Sequence, residues 1–293
     1  MRPLLLMIWL PQLLAAQTLA PRPVDAVRTG AFAHPDLRES SGLARSRFLP
    51  HVLYTINDSG NPPDLFAVDS SGRDLGRWRV PGVTNIDWEA VATGPCPAGS
   101  CIVIADIGDN GERRAAVTLY RLREPTRLDR FRGGPDASPL DLDSAVFTYP
   151  DGPYDAEAIW VDPTGAVSVV TKGRHGGVRL YRVPAQAFGR KGPAVAAFVQ
   201  QLPIEPERFF GRWVTDAALS PDGRRVAIRT YTELYLFPLL PLGRLGTPVS
   251  CNVAGLEPQG EGVEWLDDTR LILGSEAGPG GGPAPIHVAR CGA

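Results

Sequence analysis

The feature that most constrains this chain is a short pattern that returns five times, at intervals of 48, 68, 59 and 45 residues. A polar or acidic residue is followed by small or apolar ones: Ser41-Gly42-Leu43-Ala44, Glu89-Ala90-Val91-Ala92, Glu157-Ala158-Ile159-Trp160, Asp216-Ala217-Ala218-Leu219 and Glu261-Gly262-Val263-Glu264. A turn comes next, as in Asp162-Pro163-Thr164-Gly165 or Ser220-Pro221-Asp222-Gly223. Then come a second strand-like run (VLYTIN, CIVIAD, AVSVVT, RVAIRT, RLILGS) and a third (LFAVD, TLYRL, RLYRV, LYLFPL, IHVAR). Short β-branched and aromatic runs bounded by turn residues read as strands, and self-similarity at about 40–50 residues, four strands to a unit, marks a β-propeller. The expected fold is therefore all-β: a propeller of five blades, with room for a degenerate sixth. The last unit stops after three strands, so a strand near Val24–Phe32 is expected to complete it, pairing the two ends of the chain and removing an open edge.

The 29 prolines and 32 glycines fit frequent turns rather than long helices. Arg2 and the apolar run to Ala16, followed by Gln17, have the form of a signal peptide, and the run is too short to span a bilayer. Residues 1–16 are read as a leader and 17–293 as one propeller domain, with an exposed Pro/Gly/Arg-rich insertion near 124–140. Formal net charge is −2, with no long run of either sign, which argues against nucleic-acid binding. No membrane span is expected, and the chain is read as a monomer. Four cysteines in an exported chain suggest disulfides. Three connectivities are open; Cys96–Cys101 across a local hairpin, leaving Cys251–Cys291, is the simplest. The expected location is secreted or periplasmic.

The first strand of each propeller blade faces the central channel, so Ser41, Glu89, Glu157, Asp216 and Glu261 are expected to converge near the axis. Asp87, Asp155 and Glu264 lie two or three residues from an anchor. Crowded carboxylates at low dielectric repel one another, and protons or a cation must compensate. Hard oxygen donors in this number suit Ca²⁺; blade carboxylates also serve simply to cap turns. The second strands end in Asn57-Asp58, Asp106 to Asn110, Lys172, Arg229 and Ser275-Glu276, around one mouth. Lys172 and Arg229 beside acids would suit a small anionic ligand, or would merely neutralise their neighbours. Trp88, Trp160, Trp213 and Trp265 are read as packing between blades.

Asn85-Ile86-Asp87-Trp88-Glu89-Ala90 with Ala105-Asp106-Ile107-Gly108-Asp109-Asn110 resembles a pair of signatures from uncharacterised secreted bacterial β-propellers, loosely phytase-like. So do Val170-Thr171-Lys172, the stretch from Asp216 to Tyr231, and Pro258-Gln259-Gly260-Glu261. The resemblance implies a calcium-dependent hydrolase of phosphoesters or lactones. Glu89 or Asp106 would then take a proton, and Lys172 and Arg229 would hold the anionic part of the substrate. The Asp-rich calcium clusters of true phytases are missing, and no nucleophile–base set is recognisable. The alternative is a non-catalytic propeller that binds a partner protein or glycan around a structural channel ion.

Overall fold

A computed structural model describes residues 21–128, 142–206 and 211–291. The leader lies outside them, as do residues 129–140 of the expected insertion; its first residue, Glu124, is buried.

Among the described residues the strands fall into five antiparallel groups of four, one for each anchor. The first is β2 (Ser40–Arg45), β3 (Leu53–Asn57), β4 (Asp64–Val68) and β5 (Asp74–Arg79). The second is β6 (Trp88–Cys96), β7 (Gly99–Asp106), β8 (Val117–Arg123) and β9 (Leu142–Thr148), to which the two-residue β13 (Ala194–Val195) adds in parallel. The third is β10 (Ala156–Val161), β11 (Val167–Thr171), β12 (Arg179–Val183) and β14 (Ala197–Gln201). The fourth is β15 (Val214–Leu219), β16 (Arg225–Thr230), β17 (Glu233–Pro238) and β18 (Val249–Asn252). The fifth is β19 (Gln259–Trp265), β20 (Leu271–Glu276), β21 (Pro285–Cys291) and, from the other end of the chain, β1 (Arg22–Ala31).

The inner strands β2, β6, β10, β15 and β19 pack side by side in that order, and β19 returns to β2. Two side chains show their common direction: Ser41 Oγ donates to the Glu89 carbonyl at 2.6 Å, and Thr93 Oγ1 donates to the Arg45 carbonyl at 2.7 Å. Five hydrophobic clusters fill the five interfaces between groups, from Tyr54, Ile56, Val91 and Ile104 between the first and second to Leu43, Phe66, Ile272 and Ile286 between the fifth and first. Strands covered on both faces explain the continuous apolar runs VLYTI and AVSVV, where a half-solvated strand would alternate. Trp88, Trp160 and Trp265 are fully buried at these interfaces. Trp213 departs from the pattern: half-buried, it carries the Arg174 guanidinium 4.5 Å above its ring. The architecture is a β-propeller.

Closure comes from the expected terminal strand. β1 pairs with β21 from Val24↔Cys291 to Ala31↔Pro285, and its first two residues pair in parallel with β18. Cys251 of β18 and Cys291 of β21 flank β1 and are disulfide-bonded, with Cα atoms 5.6 Å apart. A bridge across 40 residues of sequence contributes roughly 3–4 kcal/mol in the chain-entropy model. Cys96–Cys101 closes the β6–β7 hairpin. Two disulfides fit an oxidising compartment. No helix among the described residues is long and apolar enough to cross a membrane.

Candidate metal centre at the acidic mouth

Near its start each inner strand slips register against its partner, and the slip decides which side chain enters the channel. The shifts fall between Trp88 and Ala90 in β6, Ala156 and Ala158 in β10, and Gly260 and Gly262 in β19. A bulge leaves one residue unpaired and re-aims its side chain; here the residues are Glu89, Glu157 and Glu261. In β15 the skipped residue is Thr215, and Asp216 pairs normally with Arg229. The fourth anchor is thus one position earlier than the sequence pattern places it. Thr215 Oγ1 donates to the Gly260 carbonyl at 3.1 Å, much as Ser41 does to Glu89.

The carboxylates that converge are Asp58, Asp87 and Glu89 in one triad and Glu89, Asp155 and Glu157 in another, each with ligand oxygens within 4.8 Å of one another. Glu89 belongs to both. It is 4% exposed, and no donor reaches its carboxylate among the described residues. Gly108, after β7, closes over it. A Cβ there would come within 3.0 Å of Glu89 Oε1 and of Asp87 Cγ and Oδ2, so only glycine leaves the space open.

The two triads differ in charge balance. Lys172 at the end of β11 is buried and pairs through Nζ with Glu157 Oε1. Arg174 Nε lies 3.0 Å from Asp155 Oδ2, whose other oxygen accepts the Asp109 N–H at 2.9 Å. The Asp58–Asp87 side has no ion pair among the described residues. Burial, then the charge of Asp58, pushes Asp87 up to about 6. Burial raises Asp58, and burial and the neighbouring Glu157 raise Glu89 well above the usual carboxylate range. Glu157 is lifted to about 8 by burial, with Lys172 pulling the other way. Burial opposes the Lys172 charge, but Glu157 outweighs it and holds the ammonium protonated. At the same mouth, burial and Glu261 take Glu276 to about 8.

The remaining residues singled out in the sequence are engaged elsewhere. Ser41 is a strand-to-strand hydrogen bond. Asp216 is fully buried, and its Oδ2 accepts the Leu43 and Val263 N–H groups at 3.1 and 2.8 Å. Glu261 accepts from Tyr231 Oη at 3.1 Å and Gln259 Nε2 at 2.9 Å, and its Oε2 is buried without a donor. Asp106 is held by Arg114 at 2.7 Å and by the Ile86 and Asp87 N–H groups. Arg229, 1% exposed, is bound to Glu257 and to the Gly262 and Gly274 carbonyls. It fastens the fourth group to the fifth and offers no surface from which to grip a substrate. Asp58, Asp87 and Asp155 carry more of the cluster than their place beside the anchors suggests. The signal for two of them is the repeated Asp-x-Glu of Asp87-Trp88-Glu89 and Asp155-Ala156-Glu157.

Hard oxygen donors, a donor-free buried carboxylate and space kept by a glycine fit a divalent cation of the calcium kind. No family model matches the chain, and no curated protein matches it. Among solved structures it is similar to a PQQ-bound aldose sugar dehydrogenase from Streptomyces coelicolor, with 15% identity, TM-score 0.50, and 92% of this chain and 99% of the other covered. It is also similar to a gluconolactonase from Xanthomonas campestris (12%, TM-score 0.47, 92% and 90%) and to a virginiamycin B lyase from Staphylococcus aureus (10%, 0.41, 85% and 66%). At these identities the likeness is one of fold.

Proposed function

We propose that the acidic mouth holds a divalent cation, Ca²⁺ by donor chemistry, on Asp58, Asp87 and Glu89, and that the protein is an extracytoplasmic metal-dependent hydrolase of phosphoesters or lactones. The observation that carries this is Glu89, a buried carboxylate that no donor reaches among the described residues, flanked by two acids that make no ion pair there. The second triad already has Lys172 and Arg174 as counter-charges, so the first is where a free ion gains most.

An ion there supplies Lewis-acid polarisation of a carbonyl or phosphoryl oxygen and makes a water easier to deprotonate. The chain's own groups then divide the work. Glu157, beside the cluster and lifted to about 8, takes and returns a proton near neutral pH. Lys172 keeps the Glu157 carboxylate oriented. Arg174 and the Asp109 N–H fix Asp155. The two disulfides support an oxidising, extracytoplasmic setting.

Elemental analysis of the purified protein, with activity against lactone and phosphoester panels before and after chelation, tests this. Calcium at one equivalent and turnover abolished by Glu89→Gln are expected. Activity unchanged after complete metal removal overturns the hydrolase. The complete pairing of Lys172 and Arg174 favours a second reading, a binding propeller with a structural ion. That reading expects calcium-dependent melting and no turnover on either panel.

A further inference from the structure

At the opposite end of the channel lies a cavity of about 560 Å³ to which all five inner strands contribute, among them Leu43 and Arg45 of β2, Thr93 of β6 and Glu264 of β19. That volume is typical of small-molecule sites. Leu43, Val91 and Ile159, each two residues beyond an anchor on its strand, are buried and line its inner wall. Gly42, at φ +77°, brings β2 so close to β6 that an added Cβ would sit 3.0 Å from the Val91 nitrogen.

This mouth is lined by four charged groups. Its carboxylates are satisfied from within. Glu264 accepts the Arg45 and Trp265 N–H groups at 2.9 and 2.5 Å. Asp222 accepts Ser220 Oγ at 2.5 Å and the Arg224 N–H at 3.0 Å. The guanidiniums of Arg45 and Arg47 have no hydrogen bond or ion pair among the described residues. Their backbone is nonetheless held still. The buried Glu124 accepts Ser46 Oγ and the Arg47 N–H at 2.5 and 2.8 Å, and Ser100 Oγ at 2.5 Å. Arg45 is fixed through its N–H and its carbonyl. Two guanidiniums on a pinned segment, Arg47 exposed and Arg45 with only the charge of Glu264 acting on it, face a roomy cavity with apolar walls and are preorganised for an anion.

We propose that this second mouth binds a small organic anion, a phosphate or carboxylate on a body no larger than a sugar, between Arg45 and Arg47. The test is calorimetric titration of the metal-free full chain at low salt with glucose 6-phosphate, inorganic phosphate and glucose; without metal the acidic mouth repels anions. Saturable one-to-one binding of glucose 6-phosphate is expected, with weaker binding of phosphate and none of glucose. Arg45→Gln with Arg47→Gln should weaken it about ten- to hundredfold, the range for losing a charge-assisted hydrogen bond. Arg47→Gln alone, on an exposed residue, keeps the test open if the double variant does not fold. Three results overturn the proposal: no saturable binding of either anion, undiminished binding by the Arg47 variant, or glucose binding as tightly as its phosphate.

Discussion

The two mouths of this channel are built from the same five strands and have opposite electrostatics. At the strand starts, bulges turn Glu89, Glu157 and Glu261 inward, and acids outnumber the cations that answer them. At the strand ends, pairing is regular, the acids accept backbone N–H groups, and the guanidiniums of Arg45 and Arg47 make no hydrogen bond or ion pair among the described residues. A repeated strand therefore need not repeat its chemistry. The bulge decides whether a side chain meets its counterparts at the axis or stays within its own ladder, and what remains uncompensated marks where a ligand belongs.

The largest way to break this contrast is to remove the one ammonium inside the acidic mouth. Lys172→Met leaves Glu157 buried without its counter-charge, and breaking a buried pair costs about 3–5 kcal/mol. Burial lifts Glu157 to about 8, so at pH 5 it stays protonated in the variant and the cost shrinks. Urea unfolding at pH 5 and pH 8.5 should show the loss growing with pH. An equal loss at both would mean that Lys172 acts through packing.

Next in size is the linkage between pH and calcium. Asp87, at about 6, and Glu276, at about 8, both stand above their unfolded values. The native state then binds more protons than the unfolded chain across that interval, so metal-free stability falls as pH rises from about 4 to 8. Calcium binds the deprotonated native state and should oppose the fall, adding about 2.7 kcal/mol at a hundred times its Kd. Melting curves at pH 5 and 8, with chelator and with calcium, should diverge only at the higher pH.

Much of this was legible in the sequence, and the limits are physical. Four of the five anchors and the closing strand follow from repetition, because each group must bury the same faces, while the cysteine count and the Cys96–Cys101 hairpin point to the pairing seen. The shared Glu89 and the Glu157–Lys172 pair also lie where the repeat places them. The fourth anchor does not, because a one-residue bulge shift leaves no trace in composition: Thr215 occupies the skipped position and Asp216 turns to the Leu43 and Val263 N–H groups. Arg229 was legible as a cation at a strand end. Its partner Glu257, 28 residues away, was not, since pairing between groups depends on how the groups pack. Despite burial, that guanidinium holds Glu257 below the usual carboxylate range. The anion site left no motif, since Arg45 and Arg47 matter only for what fails to meet them.

A smaller effect sharpens the acidic side. Gly108→Ala puts a methyl against Glu89 and Asp87 without touching Lys172. Calcium affinity should fall by about tenfold, an overpacking cost of 1–3 kcal/mol borne at the site, while metal-free stability changes little because a crowded carboxylate pair can move apart. Calcium titration by calorimetry beside metal-free melting separates the two.

The smallest effect completes the comparison. Arg47 is exposed, makes no ion pair among the described residues, and is tied to the fold only through its backbone N–H. Arg47→Gln should therefore shift stability by no more than about 0.5 kcal/mol, the usual range for surface positions. Its effect on calcium binding should be nil, because Arg47 makes no contact with Asp58, Asp87 or Glu89 among the described residues. A charge that contributes nothing to stability, set on a loop that Glu124 holds in place with two hydrogen bonds, is what a ligand contact requires. If Arg47→Gln instead destabilises the protein by as much as Lys172→Met, the cation is structural, and the two mouths differ in sign but not in purpose.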